Sequence, residues 1–244
     1  LKNTNYWLWM VVLSNQDMRI VQGQPFYRRN FVDEVASFIY PSFPRLRFSF
    51  NRILSQRNAL LGGIRASGGG YGEQMLGWDR QFVEKGAELV WLRLNSLRHL
   101  AGYLSNIYSY IKGTACSTHL EYVSSFLELE DKKLSSEKIK RKFLEKLEAV
   151  REKEIERGVS LIGPHRDDFQ IKVDGVNQRI FGSQGEQRIT AIALRLAQLE
   201  IVREKQGEFP IILLDDVPSD LDPQREKLSL IHISEPTRLG MISY

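Results

Sequence analysis

The stretch Pro210-Ile211-Ile212-Leu213-Leu214-Asp215-Asp216 decides the fold class. Four consecutive apolar residues suit a strand buried on both faces, as in a parallel sheet covered by helices. Two carboxylates follow at the strand's C-terminal end, which is where ligands sit in open α/β sheets. A hard Mg²⁺ ion takes oxygen ligands, usually one or two carboxylates plus nucleotide phosphates. In that chemistry Asp215 holds the metal, directly or through water, while Asp216 orients and deprotonates an attacking water. The plain alternative is a strand that ends in an acidic turn.

Upstream lies Gly182-Ser183-Gln184-Gly185-Glu186-Gln187-Arg188, leading into Ile189, Ile192, Ala193, Leu196 and Leu199. Those apolar positions follow helical spacing, so a helix packs along one face. Small residues at its start leave the backbone N–H groups approachable, and a helix N-terminus carries roughly half a positive charge suited to a phosphate oxygen. Ser183 adds a hydroxyl donor, with Gln184, Gly185 and Glu186 completing the loop; an ordinary N-cap is the simpler reading. Downstream of the acids comes Ser219-Asp220-Leu221-Asp222. A small-residue loop opening a helix, then an apolar strand with paired acids, then this turn is the order of an ABC-type ATPase: signature, Walker B and D-loop, the last ending at Asp222. The spacing from Ser183 to Asp215 is closer to the SMC and Rad50 group than to transporters.

The remainder is mostly helical. Val11–Leu13 is a strand candidate, and 26–38 reads as a helix with Phe31, Val32, Val35 and Phe38 on its apolar face. Leu46–Leu61 is a second helix, with Arg45, Arg47, Arg52 and Arg57 along this basic stretch. The segment 64–72 holds four glycines and reads as a loop, and 75–111 forms one or two helices. The segment 120–127 alternates enough for a strand. The charged helix 136–157 carries Ile139, Phe143, Leu147, Val150 and Ile155 on one stripe and reads as largely solvated, its glutamates including Glu154. At ~1.5 Å per residue it reaches roughly 30 Å. Beyond it, 159–162, 169–173 and 211–214 are rich in β-formers, with the turn Asp174-Gly175 between two of them.

Composition bounds the rest. The 244 residues are 42% hydrophobic and 26% charged with a net charge of +4, so the chain is neither disordered nor fibrous. One cysteine, Cys116, excludes a disulfide framework and a Cys-rich zinc module. A reducing cytoplasmic compartment is the expectation, and no apolar run reaches the ~18 residues of a membrane span. Both ends read as unusual. The run 7–13 looks like a core strand already under way, which predicts further sequence before Leu1. The segment 228–244 resembles the in-frame translation of a sequencing-library adapter with an index barcode, so the biological chain is expected to stop near Lys227.

Several independent motifs in one order make the chain resemble the bacterial RecF family of SMC/ABC-type ATPases over about residues 6–227. They are Arg28-Arg29, Phe31 and Asp33; Gln56-Arg57-Asn58-Ala59-Leu60-Leu61; Gly163-Pro164-His165-Arg166-Asp167-Asp168; the Ser183 loop; and Leu213-Leu214-Asp215-Asp216-Val217. Two places depart from the family pattern: Asn15-Gln16-Asp17-Met18 stands where Pro-Glu-Asp-Leu is usual, and Pro218 and Asp220 stand where Leu and Glu are expected. No G-x-x-x-x-G-K-[ST] phosphate loop occurs, and the family places it before Leu1.

The resemblance implies an α/β fold: a partial P-loop NTPase lobe of the ABC type with an inserted, mainly helical lobe. The expected pieces are an ATPase lobe over 1–35 and 158–227, a helical lobe over 36–157, and a non-native tail over 228–244. It also implies ATP and Mg²⁺ as cofactors and an ATP-dependent homodimer in which the signature loop closes on the partner's nucleotide. Further implied are double-stranded DNA and single-strand/double-strand junctions as substrate, and a RecR-like mediator as partner. Arg45, Arg47, Arg52 and Arg57 are the preferred DNA phosphate contacts. His165 belongs, by the same resemblance, to a structural motif. On its own, lacking the phosphate loop, the chain is expected neither to bind ATP tightly nor to hydrolyse it. Rivals are another SMC/Rad50-like ATPase, which the short middle segment argues against, and a non-catalytic DNA-binding helical module.

Overall fold

The computed structural model describes residues 10–128, 134–207 and 211–215. Strand β1 (Met10–Ser14) opens the described chain, followed by a 3₁₀ turn (Asn15–Asp17) and the short helix α1 (Met18–Gln22). Helices α2 (Pro25–Ile39), α3 (Phe43–Ser67) and α4 (Glu73–Lys112) come next. After strand β2 (Thr118–Val123) comes helix α5 (Ser136–Arg157), then strands β3 (Asp168–Val173) and β4 (Val176–Asn177). The chain continues through α6 (Gln178–Phe181) and α7 (Gln184–Gln206) to β5 (Ile211–Asp215).

The apolar strand of the opening motif forms as expected. β5 pairs in parallel with β1, with Met10 opposite Ile211 and Ser14 opposite Asp215. Strands that far apart in sequence pair in parallel only after a long crossover. A second sheet has the order β2-β3-β4. Asp174 (φ 49°) and Gly175 (φ 78°) both adopt left-handed backbone between β3 and β4. This is the Asp-Gly chemistry that a two-residue hairpin turn requires.

Contacts divide the chain into two compact units: Leu1–Gln22 with Leu100–His119 and Ile171–Tyr244, and Gly23–His99 with Leu120–Gln170. This partition differs from the motif-based lobes over 23–35, 100–119 and 158–170. For 23–35 and 158–170 the reason lies in arginine bonds from the start of α2. Arg28 reaches Asp168 through two bonds of 2.6 and 2.8 Å, and Arg29 donates to the Asp167 carbonyl at 2.8 Å. Those bonds hold 23–35 and 158–170 in one unit.

In the first unit, helix α7 is buried along most of its length; Ala193, Leu194, Ala197, Ile201 and Val202 are fully inside. It packs against α1 and β1. In the second unit the core is aromatic. Phe50 stacks on Phe82 at 5.3 Å, and Phe126 stacks on Phe143 at 4.1 Å. Gly86 makes the approach possible, because a Cβ there would meet the Phe143 ring at 2.6 Å.

Some elements differ from the sequence reading. The 64–72 loop is shorter than expected, since α3 continues to Ser67 and ends on the left-handed Gly68. Pro44 sits in the first turn of α3, where a missing N–H costs nothing. The segment 75–111 lies within one helix of 40 residues, Glu73–Lys112. Val159–Ile162 is irregular and not a strand. Its polar backbone is taken up by side chains instead: the Ser160 N–H by Asn58 Oδ1 and the Leu161 N–H by Glu154 Oε1.

Candidate nucleotide-binding half-site

Ser183 is the N-cap of α7, in extended backbone before the first helical turn. A reciprocal capping box fixes it. The Ser183 hydroxyl accepts from the Glu186 N–H at 3.3 Å, and the Glu186 carboxylate accepts from the Ser183 N–H at 3.0 Å. The same hydroxyl donates to Glu186 Oε2 at 2.9 Å. Glu186 is held below the ordinary carboxylate pKa, first by the Ser183 backbone N–H and then by its hydroxyl. An anionic side chain in the first turn also complements the helix dipole.

The turn is open. Ser183, Gln184 and Gly185 are exposed, and a Cβ at Gly185 would meet nothing within 4 Å. The first turn of a helix leaves four N–H groups without intrahelical partners. Here Ser183 Oγ takes that of Glu186 and the Glu186 carboxylate takes that of Ser183, while the Gln187 N–H makes the first helical bond, to the Ser183 carbonyl at 2.9 Å. The N–H groups of Gln184 and Gly185 are left at the exposed end, a geometry suited to an anion. Gly182 has the opposite reason to be glycine: a Cβ would meet the Gln178 carbonyl oxygen and Oε1 at 2.6 Å. Gln187 anchors the turn from beneath. It donates to the Gln178 carbonyl at 2.8 Å and accepts from Gln22 at 2.5 Å.

At the end of β1, Asp17 is buried and accepts from the Ser14 N–H at 2.8 Å. Arg195 of α7 binds the same carboxylate at 2.9 Å. Within the stretch that departs from the family pattern, the one residue that matches it, Asp17, ties the β1 end to α7. Nothing local in the sequence signals this pair, which joins positions 178 residues apart.

Asp215 closes β5 with its backbone opposite Ser14. Asp216 and Asp222 lie outside the described residues. Among the described residues no group of three His, Cys, Asp or Glu can hold a metal ion.

The four arginines separate. Arg45 and Arg52 are exposed on α3. Arg47 is turned toward α2, bonding Asn30 at 2.8 Å and Asp33 at 3.2 Å. Arg57 is wholly buried, so its expected place among surface phosphate contacts is corrected. Its guanidinium binds Asp79 at 2.8 Å, Glu154 at 2.6 Å and the Ser160 hydroxyl at 2.6 Å. Glu154, expected on a solvated face, is likewise fully buried. A signal for both was present. Arg57 falls in phase with Phe43, Leu46, Phe50, Ile53 and Leu61, and Glu154 in phase with Ile139, Phe143 and Leu147, all buried.

The Gly163–Asp168 segment is a structural hub. Asp167 accepts from Tyr122 at 2.8 Å and from the Ser125 N–H and hydroxyl at 2.8 and 2.9 Å, and Pro164 accepts from Arg93 at 2.7 Å. Arg93 also clasps Asp33 through bonds of 2.6 and 2.9 Å. Burial pushes His165 down to about 4, so the ring is neutral at pH 7.

Two solved structures share this architecture. One, described as the recombination mediator protein RecF-ATP in the RecFOR pathway, aligns with a TM-score of 0.85 and 30% identity over 93% of this chain and 60% of its own. The other, RecF-ATPrS, aligns at 0.82 and 30% over 91% and 60%. The fold is a partial α/β ATPase lobe of the ABC type with a helical insert. No family model matches the chain. Among curated relatives, the DNA replication and repair protein RecF of Halothermothrix orenii is 38% identical over 217 residues, or 88% of this chain. Those of Natranaerobius thermophilus and Bacillus cereus are 36% and 35% identical over 93% and 89% of it. The chain is thus a homologue of the bacterial RecF proteins over about nine tenths of its length. It spans 57–59% of the length of these curated relatives.

Proposed function

We propose that this chain supplies the signature half of a RecF-like recombination mediator acting in DNA replication and repair. In this reading an ATP-dependent homodimer closes as a clamp on double-stranded DNA near single-strand gaps, and a RecR-like protein is its partner. The observation that carries the proposal is the capped, open N-terminus of α7, with the Gln184 and Gly185 N–H groups exposed, in the unit whose parallel strand ends at Asp215. The likeness to RecF in sequence and structure supports it.

Ser183, Gln184, Gly185 and Glu186 would face the γ-phosphate of ATP held by the other protomer, with Asp222 at the same interface. Oxygen donors at the end of β5 suit a hard divalent cation, and Asp215 would hold Mg²⁺, which neutralises phosphate charge. Asp216 would accept the proton of the attacking water. As a cytoplasmic protein it would meet both ATP and DNA. Among the described residues no helix is long and apolar enough to cross a membrane.

The test uses a chimaera in which the matched residues of this chain replace those of the Halothermothrix orenii protein. Ser183→Arg should leave ATP binding by the monomer nearly intact and abolish ATP-dependent dimerisation, because the long side chain blocks the approach to phosphate. Light scattering with and without ATP reads dimerisation, and calorimetry on the monomer reads binding. Loss of monomer ATP affinity would place Ser183 in its own nucleotide pocket and overturn the trans arrangement.

A further inference from the structure

Helix α3 is unlike the other long helices. Its 25 residues carry five arginines and no Asp or Glu. Three of those arginines are spent on structure: Arg57 in the buried cluster, Arg47 against α2 and Arg65 on the Arg157 carbonyl. Arg45 and Arg52 remain exposed, and neither has an ion-pair partner among the described residues. Between them stands Phe48, 73% exposed. Positions 45, 48 and 52 follow i, i+3, i+7 spacing and share one helix face, as neighbours three or four apart do. Ser55, Gln56 and Ala59 continue that face, all exposed or half-buried.

An exposed phenyl ring flanked by two unpaired guanidinium groups is poorly explained by folding, since Phe48 takes nearly three quarters of its surface into water. Its chemistry complements a polyanion with flat apolar faces. We propose that the Arg45–Phe48–Arg52 stripe of α3 binds single-stranded nucleic acid, Phe48 stacking on an unpaired base while Arg45 and Arg52 hold the flanking phosphates. The inference rests on the DNA-binding reading above and adds a place and a strand preference to it. Arg45 and Arg52 lie about 10 Å apart along the helix. At ~3.4 Å per nucleotide along one strand, that separation matches about three phosphates, with the ring midway. In a duplex both faces of each base are covered by its neighbours, so an aromatic side chain gains a partner only where a strand is unpaired or splayed. A duplex can use the arginines but not the ring.

The experiment measures binding of the full chain to a fluorescein-labelled oligothymidine and to a duplex of the same length by anisotropy, across a salt series. Phe48→Ala should weaken the single strand about tenfold or more and leave the duplex unchanged. Phe48→Trp should restore binding, and Phe48→Leu should not, because it keeps the apolar surface and loses the flat π face. The double variant Arg45→Ala/Arg52→Ala should weaken both ligands and flatten the single-strand salt dependence by roughly 0.7 per lost contact. Equal loss on both ligands with Phe48→Ala, or full binding by Phe48→Leu, overturns stacking. Self-association of the wild type that Phe48→Ala abolishes, with oligonucleotide binding unaffected, assigns the patch to a second copy and overturns the proposal. Absence of any DNA binding defeats the broader DNA reading. DNA binding indifferent to Phe48 defeats only this one. The ring is exposed, so a melting curve unchanged from wild type checks that the fold survives.

Discussion

The α7 turn and the Arg57 cluster use the same polar chemistry to opposite ends. At α7, Ser183 and Glu186 are three residues apart and their side chains bond only within the pair, on an open turn. In the cluster, Arg57 gathers Asp79, Glu154 and Ser160 from 22, 97 and 103 residues away, with no exposure of its own. A local, exposed motif leaves the Gln184 and Gly185 N–H groups at its exposed end. A long-range, buried one commits all three guanidinium nitrogens to the fold. Charged residues in this chain therefore divide by partner distance and burial, and their density along the sequence does not sort them.

The largest expected effect breaks the buried side of that contrast. Glu154→Ala leaves the Arg57 guanidinium without one of its two carboxylates in a site with no water access. Removing one partner of a buried pair costs about 3–5 kcal/mol. Urea denaturation should register that loss, and Glu154→Gln, which keeps an oxygen acceptor at the site, should lose less. If Glu154→Ala changed stability by under about 1 kcal/mol, the cluster would be energetically equivalent to a surface ion pair, and the contrast would collapse.

Much of the fold was legible because its signals are local. The run Ile211–Leu214, the Asp174-Gly175 turn, the helix 136–157 and the glycine-punctuated start of α7 were each read from neighbouring residues. Arg57 and Glu154 were misread for the converse reason. Their partners are distant, and charge pointed outward more strongly than their phase within the apolar stripe pointed inward. Val159–Ile162 failed similarly: β-branched composition promised a strand, while Asn58 and Glu154 satisfied its backbone from far along the chain. Of the candidate site, the α7 turn was visible in sequence, whereas the Asp17–Arg195 tie and the capping box were not anticipated.

A second, smaller effect comes from pH. His165 packs near the Phe50 and Phe82 rings, with centroids 6.3 and 6.1 Å away. Burial first, and then the positive charges of Arg166, Arg29 and Arg57, lower it from 6.5 to about 4. A folded-state value below the unfolded one means the unfolded chain binds the proton more readily. Stability is therefore full above about pH 6.5 and falls as pH drops toward 4, by about 3 kcal/mol across the window. Asp167 opposes this in part, because burial raises its carboxyl. The difference between wild type and His165→Gln isolates the imidazole. Denaturation midpoints at pH 7.5 and pH 5 should converge in the variant relative to wild type. Parallel pH dependence in the two proteins would remove His165 as the cause.

The smallest effect lies on the exposed side, and its smallness is the point. Ser183→Ala deletes the oxygen that accepts the Glu186 N–H and the hydroxyl that donates to its carboxylate. Loss of an N-cap oxygen costs about 1 kcal/mol, within a range of roughly 0.5–2, while Ser183→Gly should cost only a few tenths. Glu186→Gln should fall between these, since the amide still reaches back to the Ser183 N–H but without the charge that favours the helix dipole. Glu186 also predicts a pH response of the opposite origin to that of His165. Its carboxyl is depressed in the folded state, so its contribution is present above the unfolded carboxylate value and disappears as pH falls through the folded one. Ser183→Ala should shrink that acid-side response without abolishing it, because the Ser183 N–H that contributes most remains, and should leave the His165 window untouched, because the two groups sit in separate units. Urea denaturation of Ser183→Ala, Ser183→Gly and Glu186→Gln at neutral pH gives the ranking. A loss well above 2 kcal/mol for Ser183→Ala would make the turn a structural keystone like the Arg57 cluster. A loss near 1 kcal/mol leaves it a lightly held turn whose Gln184 and Gly185 N–H groups can take up a ligand without disturbing the fold.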